Sequence, residues 1–557
     1  MVNLNGIWDF AFFRDKALEE IEYEKVEFTG VMNVPGCFEE FTSYHRGTAV
    51  YHRTFELEKE ELRPVLRVEG AGQRVRFFVD GKMVEFLPLP YSVLESPLEK
   101  LDAGKHEIIA LVDNRFDPEK LKLVRPDFDY YSYGGFFDGI SLLFRTSPCS
   151  LDRVKITTED FEKGIVGLEF IFSGVVPETA EVQYAFDDEE EFHSVTVPAG
   201  GGEKLFCHVP NCKLWSPETP FLHTLKVKFN GNTLRETFGV RTVAVKGKKL
   251  LLNGKELFLK GFNRHNSCAV SGAAVPAEIM LLDLKHLKDM GCNFVRGAHY
   301  KQSRTFLELC DRMGILVWEE SYGWQYRPKE FQDPSFCFLV KEQTQMMIQE
   351  DFNHPCIIFW AFMNEFYSGT FEGRKMAEEL SALIRREDPS RLVTFACSHI
   401  KADICCDLCD VIAFNTYPGW NETAMEEPVK LLQENLEDIT AFFREKYPEK
   451  PLMVGEMGLC AEYGRRDPYG AQWTEEFQAE FYSAVARWVL ASPEYCGLTF
   501  WQLNDAKSYC RKGAPVRVKP FGMNLAGVYD VYRCPKLAAA AVGELFKGTG
   551  DGFRLEE

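Results

Sequence analysis

Apolar and polar positions alternate in short runs over the first 147 residues. Val65–Val68, Gln73–Val79 and His106–Val112 are separated by turn signals such as Asp80-Gly81 and Ala103-Gly104. A period of two over runs this short predicts strands, and many of them predict a β-sandwich of jelly-roll type over residues 1–147. Residues 148–243 repeat the pattern on a smaller scale, in Val154–Thr158, Gly167–Phe172, Glu181–Phe186 and Thr224–Phe229. About a hundred residues in roughly seven strands is the size of an immunoglobulin-like sandwich, here without the Cys–Trp–Cys core of a true immunoglobulin domain.

The rhythm then changes to strand, helix, strand, helix across residues 244–557. Strands are predicted at Leu257–Phe262, Phe294–Gly297, Ile315–Glu319, Ile357–Phe362, Leu392–Ala396, Val411–Asn415, Leu452–Gly455 and Gly497–Trp501. Amphipathic stretches at 277–290, 335–352, 371–387, 427–446 and 473–491 predict the helices between them. Eight such repeats in about 300 residues predict a (β/α)₈ barrel, whose sites lie at the C-terminal strand ends.

Two of those ends carry a glutamate. The run Asn353–Glu365 crosses an uninterrupted apolar stretch and stops at Asn364 and Glu365, and Pro451–Glu456 stops at Glu456. A carboxylate at the end of a buried strand needs a partner or a reaction to offset its desolvation. Polar or aromatic residues occupy other ends: Asn263–His265, His299-Tyr300, Asn415–Tyr417, and Trp501 followed by Asn504-Asp505. Two carboxylates among neutral hydrogen-bonding groups and aromatic planes suit cleavage of a glycosidic bond.

Bulk properties narrow the partners. A net charge of −20 disfavours nucleic acid and anionic membrane. No run approaches the length of a membrane span, and the N-terminus shows no signal peptide. The 17 cysteines, odd in number and scattered through apolar runs, fit reduced thiols and a cytoplasmic location. Cys405, Cys406 and Cys409 cluster without a second ligand pair at finger spacing, so neither a metal nor another cofactor is expected. A small glycoside or oligosaccharide is the expected partner, and a homo-oligomer is compatible with the sequence.

Several segments together resemble glycoside hydrolase family two, the group that includes β-galactosidases and β-glucuronidases. Val34–Cys37 with Tyr51–Phe55 resembles its sugar-binding jelly roll, and Lys260–His265 the approach to its barrel. Asn353-His354-Pro355 with Trp360, Asn364 and Glu365 resembles its acid/base signature, and Val454–Gly458 its nucleophile strand. The resemblance implies Glu365 as general acid/base and Glu456 as nucleophile. It further implies Asn364 as the group holding the sugar 2-hydroxyl, Tyr417 as the residue orienting Glu456, and Trp501 as a wall of the sugar subsite. His299 and Asn415 line the same mouth.

The likeness extends to β-glucuronidases in Asn415–Trp420, Trp501–Asp505, Tyr532–Lys536 and Phe128–Gly135, the last implying that Asp129 reaches the barrel mouth. One departure stands out. Those enzymes hold the substrate carboxylate with an Asn-x-Lys pair, and the matching stretch here is Asn524-Leu525-Ala526. Loss of that cation disfavours an ordinary glucuronide, because a charged hydrogen bond contributes about 1.5–3 kcal/mol. Arg511, Lys512, Arg517 and Lys519 crowd the same loop, and Lys301 follows His299-Tyr300. If these cations face the pocket, a β-galacturonide is expected; if not, a neutral β-galactoside. A non-catalytic carbohydrate-binding protein is the third reading, and the intact glutamate pair argues against it.

Overall fold

The computed structural model describes residues 1–39, 45–145, 147–420, 428–509 and 519–554. The N-terminal segment builds two larger antiparallel sheets beside a small one of Gly36–Cys37, Gly135–Phe136 and Ala71–Gly72. One runs in the order Gly30–Val34, Gly6–Arg14, Gly47–Leu57, Gly104–Asp113, Arg74–Val79, Lys82–Glu85; the other in the order Val2–Asn3, Ile140–Phe144, Pro64–Val68, Leu94–Pro97. Strict alternation of burial along Arg74–Val79 shows why the sequence period read as strand. Trp8, Tyr51 and Phe77 from the first sheet share a core with Leu66, Val68 and Leu142 from the second.

A second sandwich follows, with Cys149–Asp160, Ile165–Gly174 and Leu205–His208 in one sheet. His193–Pro198, Thr179–Phe186, His223–Phe229 and Asn232–Phe238 form the other, and the core between them is separate from that of the rest of the chain. A three-stranded hairpin unit, Val243–Leu257, leads into the barrel.

The barrel strands are β1 (Leu259–Arg264), β2 (Phe294–Gly297), β3 (Leu316–Glu320), β4 (Ile357–Ala361), β5 (Leu392–Thr394, resumed as Ala396–Cys397), β6 (Ile412–Asn415), β7 (Leu452–Glu456) and β8 (Tyr495–Phe500). Each pairs in parallel with its neighbours, and β8 returns to β1, Thr499 opposite Gly261. The first half of β5 pairs with β4 and its second half with β6. Gly261 cannot be larger, because a Cβ there would lie 2.0 Å from the carbonyl oxygen of Phe294. The surrounding helices are α1 (Ala277–Asp289), α2 (Arg304–Met313), α3 (Pro328–Phe331), α4 (Pro334–Asp351), α5 (Phe371–Glu387), α6 (Pro428–Lys446), α7 (Glu475–Ala491) and α8 (Leu537–Lys547). Predicted and observed bounds agree within two residues for all eight strands, β5 being interrupted at Phe395; α2 is an addition whose Ser303 caps its N-terminus.

The Asn353-His354-Pro355 turn does structural work at the barrel floor. Asn353 donates to Val154 O at 2.8 Å and accepts from Ile156 N at 2.9 Å, docking the second sandwich. His354 Nδ1 lies 2.6 Å from Asp311 Oδ2, and Arg241 donates to Ile357 O at 2.7 Å. The N-terminal sandwich instead reaches the opposite, C-terminal face. There Tyr91 stacks on Tyr300 at 3.9 Å, and Tyr131 N donates to Lys507 O at 3.2 Å. No helix among the described residues is long and apolar enough to cross a membrane.

Candidate active site

The strands deliver their terminal side chains to one pocket at the C-terminal face. β4 ends in an irregular turn in which Met363 and Glu365 adopt left-handed φ of 46° and 53°. Such backbone costs of order 1 kcal/mol or more in a non-glycine residue and is retained where geometry matters. The turn directs Glu365 inward, where Asn415 Nδ2 donates to its Oε1 and Gln325 Nε2 to its Oε2, each at 2.9 Å. Burial raises the Glu365 pKa above the usual carboxylate value, and the charge of Glu456 adds to it; the two amide donors pull the other way.

Glu456, at the end of β7, receives Arg296 Nη1 on Oε1 and the Tyr417 hydroxyl on Oε2. Burial, then the charges of Glu456 and Glu365, push the Tyr417 phenol well above its ordinary pKa, so it remains a donor. Arg296 is fully buried and reaches four other side chains besides. It forms a fork with Glu320 at 2.9 and 3.0 Å, and donates to Asn263 Oδ1 at 2.9 Å and Asn364 Oδ1 at 2.8 Å; its Nη2 also lies 3.3 Å from His299 Nδ1. Burial alone would weaken the guanidinium's charge, but Glu320 and Glu456 hold its pKa above the ordinary value. The Glu320 carboxyl is correspondingly held low by Arg296 and His299 against the opposing effect of burial.

His299 Nδ1 sits 2.8 Å from Glu320 Oε1, which leaves Nε2 facing the pocket 3.9 Å from Glu456. The ring stacks on Trp501 at 5.2 Å and 9°, and His265 meets the same indole edge-on. Burial, then the neighbouring His299 and Lys519, push the His265 pKa well below normal, so this ring is neutral. Asn364 Nδ2, Asn415 Oδ1 and His265 Nε2 are buried polar atoms without a protein partner. Buried orphans of this kind cost free energy unless a ligand group meets them.

The structure therefore brings together Glu365, Glu456, Asn364, Asn415, Tyr417, His299 and Trp501 from the residues expected on sequence. Asp129 also arrives at the rim: its Oδ2 accepts from Lys519 at 3.0 Å and its backbone carbonyl from Ser508 at 2.9 Å. Lys519 is buried, with its ammonium 5.2 Å from the Trp420 ring, and Trp420 packs edge-on against Tyr417. Asn524 turns its Oδ1 to the Ala526 amide at 3.2 Å and leaves Nδ2 unpartnered. Ala526 is fully buried among Ala298, Cys460 and Trp501, so the position of the missing cation is apolar wall. Arg511, Lys512 and Arg517 lie outside the described residues.

Lys301 is a correction. Its ammonium pairs with the Asp351 carboxylate at 3.0 Å and donates to Gln302 O at 3.0 Å, and neither partner belongs to the carboxylate pocket. Burial disfavours its charge, and the carboxylates of Asp351 and Glu319 outweigh that, so the cation is satisfied within the barrel wall. The cysteine cluster also rearranges. Cys406 converges with Cys397 and Asp403, whereas Cys405 instead donates to Ser368 O at 3.2 Å. A second potential ligand group is Asp311, His354 and Cys356 at the barrel floor. In both groups the atoms already hydrogen-bond one another, as in Cys397 to Asp403 at 3.6 Å.

Arg296, Glu320 and Gln325 stand outside the residues expected on sequence, and Asn263 is expected there only as a polar strand end. The first two carried a signal: Arg296 interrupts the buried run of β2, and Glu319-Glu320 ends β3, so a buried cation and buried acids called for each other. Gln325 carried none, since it stands in a loop.

Comparison with known proteins agrees with this geometry. Residues 243–496 match the description "Glycosyl hydrolases family 2, TIM barrel domain", and residues 150–241 match "Glycosyl hydrolases family 2", together well over half of the chain. The chain belongs to glycoside hydrolase family 2 and is a glycosyl hydrolase. It is 26% identical over 559 residues to the β-glucuronidase of Streptococcus agalactiae serotype V, covering 90% of each. It is 26% identical to the β-glucuronidase of Paenibacillus borealis, covering 96% of this chain and 95% of that one. Among solved structures, the β-galacturonidase from Eisenbergiella tayi bound to galacturonate superposes with a TM-score of 0.87 at 28% identity, covering 99% and 98% of the two chains.

Proposed function

We propose that this chain is a retaining exo-β-glycosidase that releases a terminal β-linked hexuronide, with galacturonide preferred over glucuronide. The observation that carries the catalytic part is the pairing of unlike carboxyls. Glu365 is held toward its protonated form by burial and by Glu456, while Glu456 faces the two donors Arg296 and Tyr417. Glu456 attacks the anomeric carbon as Glu365 protonates the departing glycosidic oxygen. Glu365, now ionised, takes a proton from water, whose oxygen displaces Glu456 and leaves the anomeric configuration unchanged. Asn364 Nδ2 donates to the sugar 2-hydroxyl, and Trp501 forms the wall against which the ring lies.

Sugar preference rests on Lys519. With Ala526 apolar, the buried ammonium beside Asp129 and Trp420 is a cation at this rim that would approach a substrate carboxylate from a different direction. Similarity to the Eisenbergiella galacturonidase supports the same reading. A neutral β-galactoside is the second reading, favoured by the observation that Asp129 already neutralises Lys519 at 3.0 Å. The sixteen described cysteines are free thiols, which supports a reducing compartment such as the cytoplasm.

Turnover of nitrophenyl β-galacturonide, β-glucuronide, β-galactoside and β-glucoside tests the assignment, with the first-formed anomer read by NMR. Hydrolysis of the galacturonide with net retention is expected. Turnover confined to neutral sugars would reject the hexuronide, and a first-formed α anomer would reject the double displacement.

A further inference from the structure

The loop after β3 joins the acid/base carboxylate to the N-terminal sandwich. Gln325 Nε2 donates to Glu365 Oε2 at 2.9 Å, and the Gln325 backbone is pinned on both sides. Its N–H donates to Asn364 O at 2.8 Å, and its carbonyl accepts Arg125 Nη1 at 2.7 Å. The residue holds a left-handed φ of 48°, a conformation that glutamine adopts only where its surroundings enforce it. Enforcement comes from the sandwich. Arg125 is itself clamped by Asp127 at 2.9 and 2.6 Å, and Asp127 also binds Arg327 at 2.7 Å. Between these ties, the Tyr326 hydroxyl donates to Leu123 O at 2.7 Å. Residues 325, 326 and 327 are thus each tied to the segment 123–127.

We infer that Gln325 is a positioning residue for the Glu365 carboxyl, and that Arg125 of the sandwich sets its place through this loop. The inference rests on the acid/base role proposed for Glu365. The amide donor favours the ionised form of Glu365, against burial and the charge of Glu456. Glu365 must give up its proton in the first step and regain one in the second, so a donor on Oε2 serves the half of the cycle in which it is charged. It also fixes the carboxyl rotamer that addresses the leaving oxygen.

The test compares pH profiles of kcat/KM for Gln325→Met, Arg125→Met and the double variant, with an aryl β-glycoside that the wild type hydrolyses. Loss of the donor raises the acid's pKa, so the alkaline limb moves to higher pH in Gln325→Met. At the optimum, kcat/KM falls about tenfold for a poor leaving group and less than about twofold for a dinitrophenyl glycoside, which needs little protonation. Arg125→Met moves the same limb the same way, and the double variant moves it no further than Gln325→Met alone. A folded Gln325→Met with the wild-type limb overturns the inference. If Gln325→Met moves the limb and Arg125→Met does not, the link to the sandwich fails. Wild-type activity indifferent to Glu365→Gln overturns both this inference and the acid/base role, whereas Glu365-dependent activity with an unmoved limb overturns this inference alone.

Discussion

Arg296 Nη2 donates to Asn364 Oδ1 at 2.8 Å, and this bond orients the Asn364 amide. With its oxygen committed to the guanidinium, Asn364 presents Nδ2 to the pocket, where it has no protein partner. The same guanidinium holds Glu456 and Glu320, so one buried cation positions the groups of both β4 and β7. Removing one partner of a buried ion pair typically costs about 3–5 kcal/mol. Arg296→Lys keeps a charge but cannot span Glu320, Glu456, Asn263 and Asn364 together. Its kcat/KM is expected to fall by at least about a hundredfold, with a lowered Tm. Kinetics on an aryl glycoside together with calorimetry check this, and near-wild-type values for both would refute the assignment of the network.

The two glutamates differ in what their removal should do. On the proposed mechanism, Glu456→Gln removes the attacking oxygen and should abolish turnover of every substrate. Glu365→Gln removes a proton donor, an effect of about 10²–10⁴-fold for poor leaving groups. It should matter far less for dinitrophenyl glycosides, and azide should restore turnover by attacking the glycosyl-enzyme without a general base. Equal losses in the two variants on every leaving group would count against the division of roles.

Legibility of this chain in its sequence followed the physics of each position. Strand ends were readable because an apolar run that stops at Glu365 or Glu456 marks both the element and the site. Arg296 was less visible, since its function depends on Glu320 and Glu456, which lie on other strands. Gln325 was invisible, because loop backbone has no periodicity and its place comes from Arg125, two hundred residues earlier. Lys301 misled for the opposite reason. A lysine beside His299 reads as a pocket cation, yet Asp351 from the end of α4 captures it.

Stability should decline with pH through a carboxyl far from the catalytic pair. Glu39 is buried in the N-terminal sandwich, where its Oε2 accepts from Gly134 N at 2.7 Å and Arg46 lies 3.6 Å from Oε1. Burial nonetheless raises its pKa from 4.5 to about 7. The folded chain therefore retains a proton that the unfolded chain loses, and the stabilisation present below pH 4.5 is lost as pH rises toward 7. Glu39→Gln should flatten the decline of Tm between about pH 5 and 7. An unchanged slope in the variant would remove Glu39 as its source.

Lys519 decides between the two sugar readings. Its ammonium is buried between Asp129 and Trp420, and neutralisation by one aspartate leaves room for a second anion only if a substrate carboxylate enters within hydrogen-bond reach. Lys519→Met keeps the stem and removes the charge. A charged hydrogen bond contributes about 1.5–3 kcal/mol, so a hexuronide substrate should lose roughly ten- to a hundredfold in kcat/KM, mainly through KM. A β-galactoside, which offers no carboxylate, should lose little. The ratio of the two losses is the informative quantity, because damage to the Asp129 loop would depress both substrates alike. Equal losses, or a larger one for the galactoside, would assign Lys519 to holding Asp129 and shift the substrate reading to a neutral sugar.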